Sequence, residues 1–259
     1  MTLLEAFFLG LIQGLTEFLP VSSSGHLELA QYFLGFEQLQ NYLFFGLVCH
    51  LGTLGAIIYI YFPEIKKGVI HHKSLLIKLL LGTLPLFPLV LLIKPIKAFF
   101  DRPEYLGFCF LVTSALIFAS VSLRFDLPLT QNKRRRLDPL IIGIFQAFAI
   151  LPGISRSGAT ISAARFLGWN KEEAIRFSFL LAIPAICGGT ILELRHLWNQ
   201  PASLPVNMQI GQYMIGFGTS FAVGCLSLHL LQRLMVNDKW HYFAWYCLFL
   251  GLATTWYFN

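Results

Sequence analysis

At 259 residues, 56% hydrophobic and only 12% charged, with a mean hydropathy of +0.66, the chain falls outside the composition of soluble globular domains and reads as a polytopic membrane protein. Its formal charge of +6 does not point to nucleic acid, because Lys and Arg fall in short connectors between apolar runs, which is how membrane topology is encoded. The cysteines, Cys49, Cys109, Cys187, Cys225 and Cys247, lie far apart inside apolar runs with neither metal-ligand spacing nor a paired framework, and read as packing residues.

Met1 to Leu4 lack a basic n-region and a small-residue cleavage site, and Glu5 and Glu17 interrupt the first apolar run, so no cleavage is expected there. That run, 3–36, is broken at 20–26. Apolar stretches follow at 42–61, 75–93 and 105–123, each meeting or approaching the roughly 20 residues a spanning helix needs. A second broken region, 139–167, is interrupted at 152–158 and is followed by apolar stretches at 177–192, 208–231 and 240–258. No piece of a broken region is long enough to cross alone. Two short helices joined by a polar tip form the pattern of a re-entrant hairpin, whose irregular backbone is tolerated at membrane depth only inside protein or beside a water-filled cavity.

Laying Gly10 on Gly143 pairs Gln13 with Gln146, Ser22 with Ser155, Ser24 with Ser157 and Gly25 with Gly158 without a gap. Ala30 with Ala163 and Phe33-Leu34-Gly35 with Phe166-Leu167-Gly168 follow in the same register, and the same offset maps the three later apolar runs of each half. The expected fold is therefore all-α, an inverted-topology repeat of 1–126 against 134–259 joined by a basic cytoplasmic linker at 127–133. Each half is one re-entrant helical hairpin, 3–36 or 139–168, plus three transmembrane helices. A hairpin returns to its own side, so three spans per half invert the second copy. Lys66, Lys67, Lys73, Arg124, Lys133, Arg134, Arg135, Arg136, Lys171, Arg176, Arg233 and Lys239 then share one side, against Lys94, Lys97, Arg102 and Arg195 on the other. The positive-inside rule places the first set in the cytoplasm, both termini in the periplasm, and the two tips where they can meet within the bilayer.

The tips carry the chemistry. Gln13 and Glu17 project from one helix face a turn apart, and a carboxylate at membrane depth marks a functional site. Glu5 and Glu28, nearer helix ends, read as interfacial. After Pro20, the hydroxyls of Ser22, Ser23 and Ser24 and the backbone of Gly25 gather at a helix N-terminus, an arrangement suited to phosphate, although any single serine also suits a plain N-cap. His26, in the next turn, has the chemistry of a general acid, a general base or a phosphoryl acceptor. The second tip brings Ser155, Arg156, Ser157, Gly158 and Thr160, and an arginine in a Gly/Ser loop at a helix start suits bidentate phosphate recognition. Arg165 and Arg176 read as interfacial; His50, in mid-span, could touch the site, although its position suits helix packing better. One acid, one imidazole, several hydroxyls and one guanidinium fit phosphoryl chemistry better than acyl transfer, which would not need the arginine.

Two motifs, Gln13-x-x-x-Glu17 running into Phe-Leu-Pro-Val-Ser-Ser-Ser-Gly-His at 18–26, and Pro-Gly-Ile-Ser-Arg-Ser-Gly at 152–158, resemble those of the undecaprenyl pyrophosphate phosphatases associated with bacitracin resistance. The resemblance covers the whole chain. It implies a bacterial inner-membrane enzyme that removes the terminal phosphate of the long-chain isoprenyl diphosphate carrier and returns the monophosphate to cell-wall synthesis. It also implies a divalent cation, Mg²⁺ or Ca²⁺, an active site open to the periplasm and a homodimer. Gln13 stands where many relatives have Glu, which weakens a two-carboxylate metal site.

On this reading Arg156, the helix N-termini and the cation neutralise the diphosphate, and Ser23 attacks the terminal phosphorus. Glu17 and His26 divide metal binding and proton transfer, with Glu17 the candidate metal ligand. Gln13, Ser22, Ser24, Gly25, Ser155, Ser157, Gly158 and Thr160 form the candidate substrate-binding set. Attack by His26 or by a metal-bound water uses the same residues and stays open. A lipid-phosphate transporter or flippase is the rival from another class, since inverted repeats with broken helices are a transporter architecture. A pure carrier has no need of Glu17, His26 and the serines together. The other lipid-phosphatase superfamily is matched locally by Ser24-Gly25-His26, but no His-x-x-x-Asp element follows Ser155-Arg156.

Overall fold

Breaks, prolines and glycines decide where the helices stop and how closely they pack. The computed structural model describes residues 1–35, 43–71, 73–89, 102–123, 131–199 and 208–258, and no strand occurs among them. The helices are α1 Leu3–Thr16, α2 Ser23–Phe33, α3 Leu43–Ile60, α4 Phe62–His71, α5 Lys73–Thr83, α6 Pro103–Ser122, α7 Gln131–Phe148, α8 Arg156–Phe166, α9 Lys171–Asn199, α10 Ile210–Val236 and α11 His241–Phe258. Three of them, α6, α9 and α10, are long and apolar enough to cross a bilayer, and the bent pair α3 and α4 makes a fourth if counted as one span. Phe108, Leu226, Phe249 and Trp256 are exposed on this surface, an apolar coat suited to lipid. The chain is a multi-pass, all-helical membrane protein.

Four sequence expectations are modified. The 62–74 connector is largely the helix α4, turned 73° from α3, with Pro63 in its first turn where a missing N–H costs nothing. The 75–93 stretch is not one helix from end to end: α5 stops at Thr83, because Pro85 disfavours helical backbone at Leu84. The second broken region begins earlier than expected, with Pro139 inside α7 rather than at its start. Residues 131–133, expected as linker, already belong to α7. Lys94, Lys97, Arg124 and linker positions 127–130 lie outside the described residues.

In lipid there is little hydrophobic force between helices, so close backbone packing through small residues takes its place. α1 lies against α10 in this way: a Cβ built on Gly14 falls 2.8 Å from the Ser220 carbonyl oxygen, and Ser227 Oγ donates to the Gly14 carbonyl at 2.8 Å. Gly107 of α6 and Gly251 of α11 face each other equally closely. Gly14→Val should therefore lower the melting temperature in detergent, at a cost of about 1–3 kcal/mol. Gly218→Ala, at a site with nothing within 4 Å, should leave it unchanged. On the polar rim, a hydrogen bond from Lys171 to Asp238 ties the start of α9 to the α10–α11 turn and holds that carboxyl below its ordinary value.

The two breaks share local geometry. Ser22 Oγ accepts from Gly25 N at 3.4 Å and Ser155 Oγ from Gly158 N at 3.0 Å. Ser22 and Ser24 hydroxyls lie 3.3 Å apart, those of Ser155 and Ser157 3.1 Å. α2 and α8 both end on a glycine in the left-handed region, Gly35 at φ +70° and Gly168 at φ +82°. The breaks also touch, because Ser157 Oγ donates to the Leu19 carbonyl at 3.3 Å. Residues far apart in sequence are thereby brought to one place.

Candidate active site

Glu17 lies just past the end of α1, where the helix gives way to the Phe18–Pro20 turn, and its side chain is only 6% exposed. A carboxylate buried this far is tolerable only when paired and fully hydrogen-bonded. Both oxygens are. Oε1 accepts from Arg156 Nη2 at 2.7 Å, and Oε2 accepts from Ser23 Oγ at 2.6 Å and from Gln13 Nε2 at 2.9 Å. Gln13 reaches it as the one-turn spacing on α1 requires.

Ser23 and Arg156 arrive from two helix starts. Ser23 is the first residue of α2 and follows Ser22, a non-glycine residue at φ 71°, ψ 98°, a conformation that costs on the order of 1–3 kcal/mol. Arg156 is the first residue of α8, behind the extended N-cap Ser155, whose N–H donates to Thr113 Oγ1 at 3.0 Å. Thr113 in turn donates to the Gly153 carbonyl at 3.0 Å, so α6 pins the second tip. The opening N–H groups of α2 and α8 have no acceptor inside their own helices, and both dipoles present partial positive charge to the same region.

That region is a cleft of ≈ 490 Å³, a volume typical of small-molecule sites. Its polar lining includes Glu17, Ser22, Ser23, Ser24, Ser155 and Arg156, and its apolar lining includes Leu27, Leu47, Ile150, Ile154 and Ile186. Fixed donors beside an apolar groove suit an anionic head on a lipid tail.

The other candidate residues fall around this cluster. Gln13 is fully buried behind Glu17. Gly25 is kept small by Phe110, whose ring lies 2.6 Å from a Cβ built there. Ser157, Gly158 and Thr160 spend their polar groups inside the protein; Thr160 Oγ1 meets the Arg156 carbonyl at 2.8 Å and Ser178 Oγ at 2.6 Å. They hold the tip rather than line the cleft. His26 lies to one side, with Nδ1 2.7 Å from the Ser22 carbonyl oxygen, Nε2 2.7 Å from the Tyr246 hydroxyl, and its ring stacked on Tyr246. It is not among the cleft-lining residues.

The structure decides between the two sequence readings of His50. The favoured packing role gives way to the other: it lines the cleft, with Nδ1 2.8 Å from Gln13 Nε2 and 3.6 Å from Glu17 Oε2. The contact joins positions 37 apart on separate helices, α1 and α3, so no spacing in the sequence signals it. Tyr246, 220 positions from His26, is hidden for the same reason.

A divalent cation held through a single carboxylate is compatible with this donor set. Among the described residues no three His, Cys, Asp or Glu side chains are grouped to hold an ion by themselves. Glu17 and the serine hydroxyls are hard oxygen donors, matching a cation that takes one carboxylate and completes its shell from phosphate oxygens.

A family model described as bacitracin resistance protein BacA matches residues 6–253. An undecaprenyl-diphosphatase of Protochlamydia amoebophila is 62% identical over 259 residues, the whole of both chains. Proteins of the same name from Rhodopirellula baltica, 37% identical over 256 residues, and Syntrophotalea carbinolica, 39% identical over 264 residues, align over 96% and 97% of each chain respectively.

Proposed function

Because this chain belongs to the bacitracin resistance protein BacA family, we propose that the Glu17, Ser23 and Arg156 cluster is the catalytic centre of an undecaprenyl-diphosphatase. The enzyme hydrolyses undecaprenyl diphosphate to the monophosphate and inorganic phosphate, which returns the lipid carrier to cell-wall synthesis. The observation that carries the assignment of the centre is the 2.6 Å hydrogen bond from Ser23 to a carboxylate whose other oxygen holds Arg156, at two helix N-termini. A carrier needs the arginine and the helix ends but has no use for a hydroxyl set on a carboxylate.

In the resting arrangement Glu17 occupies Arg156. An arriving diphosphate draws the guanidinium onto its terminal phosphate, which frees Glu17 to accept the Ser23 proton. Ser23 Oγ then forms a bond to the terminal phosphorus as the bond from phosphorus to the bridging oxygen breaks, and undecaprenyl monophosphate leaves. Water attacks the phosphoserine, inorganic phosphate departs, and the proton on Glu17 returns to Ser23 Oγ. Ser22, Ser24 and Ser155 supply hydrogen bonds to phosphate oxygens from the cleft wall, and Gln13, Gly25, Ser157, Gly158 and Thr160 hold the tips that present them. His26, with Nδ1 on the Ser22 carbonyl oxygen and Nε2 on Tyr246, steadies the turn that presents Ser23. Glu17 is the residue that would hold a Mg²⁺ or Ca²⁺ ion, which supplies charge neutralisation on the diphosphate when bound.

The same reading places the protein in the bacterial inner membrane as a homodimer with both termini and the cleft on the periplasmic side. The matched breaks, with their shared serine caps and terminal glycines, support a duplication of 1–126 and 134–259 in inverted orientation, each half one re-entrant hairpin plus three spans. The test of function is phosphate release by purified protein in detergent, where transport is impossible. Stoichiometric monophosphate and inorganic phosphate are expected; tight binding without release would make the protein a carrier.

A further inference from the structure

We propose that His50 is a substrate-contacting residue whose Nε2–H donates a hydrogen bond to the terminal phosphate of the bound diphosphate, with Gln13 fixing the ring in that orientation. This rests on the hydrolase reading above and extends its site to a third segment of the chain, helix α3.

The proton can be located from the hydrogen-bond network. Gln13 is fully buried, and its Nε2 lies 2.9 Å from Glu17 Oε2 and 2.8 Å from His50 Nδ1. An amide nitrogen has two N–H groups, one for each neighbour. Turning the amide over would set its carbonyl oxygen against the Glu17 carboxylate, acceptor against acceptor, so the nitrogen must face both. His50 Nδ1 therefore accepts, and the ring proton sits on Nε2. That nitrogen has no hydrogen-bond partner among the described residues, while the ring is 38% exposed and lines the cleft that holds Ser22, Ser23 and Arg156. It adds a fixed, directional donor to a pocket already built to receive an oxyanion.

The second copy of the motif lacks this device. Gln146, which pairs with Gln13 in the repeat register, sends its Nε2 to the Gly82 carbonyl at 3.3 Å, and the position matching His50 is Ile183. Only the half that carries Glu17 and Ser23 combines the buried glutamine with an imidazole.

The test compares three substitutions that separate the two ring nitrogens. Gln places an amide nitrogen near the former Nε2, Asn places its polar group near the former Nδ1, and Ala places neither. Binding is measured with a methylene-bridged, non-hydrolysable isoprenyl diphosphate, alongside kcat/KM on the natural substrate and the melting temperature of each variant. H50A and H50N should weaken binding and lower kcat/KM by about 10- to 100-fold, while H50Q retains binding within about threefold. Retention by Asn with loss by Gln would make His50 a positioning residue acting only through Gln13 and would overturn the proposal. Equal losses in Gln and Asn, or no loss in Ala, would overturn it as well. A wild-type protein that binds the analogue but releases no phosphate would instead sink the hydrolase reading.

Discussion

Arg156→Ala should lower phosphate release from undecaprenyl diphosphate by at least about a thousandfold, the range found when an arginine that stabilises transferring phosphoryl charge is removed. Among the described residues Arg156 is the one Lys or Arg lining the cleft, and it enters from the first residue of α8. The same change strips Oε1 of Glu17 of its partner, and breaking a buried ion pair on one side costs about 3–5 kcal/mol of stability. Loss of activity and loss of fold can be separated. Glu17→Gln combined with Arg156→Ala removes the stranded charge, so the melting temperature should recover while activity does not. Arg156→Lys should regain only a small part of the rate, because a point charge cannot reproduce the two-pronged geometry. Retention of most activity in Arg156→Ala would remove the residue from the mechanism.

Ser23→Ala should cost about three to five orders of magnitude in kcat with little change in melting temperature, since Glu17 Oε2 keeps its bond from Gln13 at 2.9 Å. Rapid quenching of the wild type with substrate labelled in the terminal phosphate should place the label on Ser23. Label on His26 would move the nucleophile to the imidazole. Full activity in Ser23→Ala with no labelled protein would transfer the attack to water.

The parts of this architecture that were legible in the sequence are those written locally. Pro20, the serine run and Gly25 mark a break because backbone at membrane depth must be hydrogen-bonded internally, and Ser155 to Gly158 repeat the mark in register. Glu17 stood out because a carboxylate in an apolar run is costly, and Arg156 because a cation in a glycine and serine loop has few other uses. Helix ends were less legible: Thr83 closes α5 inside an apolar run that hydropathy alone carries on to position 93. His50 was legible only as an open choice between packing and the site. An imidazole in mid-span looks the same whether it packs or binds, and only the approach of α3 to α1 brings it to Gln13. His26 shows the converse, since its place beside the serines in sequence does not put its ring in the cleft; both of its ring nitrogens have partners elsewhere.

The bond between Glu17 and Arg156 joins residues 139 positions apart, one from each tip. In effect the protein carries its own tethered competitor for the arginine. On the proposed mechanism, an entering phosphate must displace a carboxylate that never diffuses away and so acts at high effective concentration. A diphosphate anchored by its lipid tail meets that demand more readily than a free phosphate ion, which has charge but no anchor. On that mechanism, once phosphate is severed from lipid the carboxylate beside the arginine reclaims it, and inhibition by released inorganic phosphate is expected to be weak.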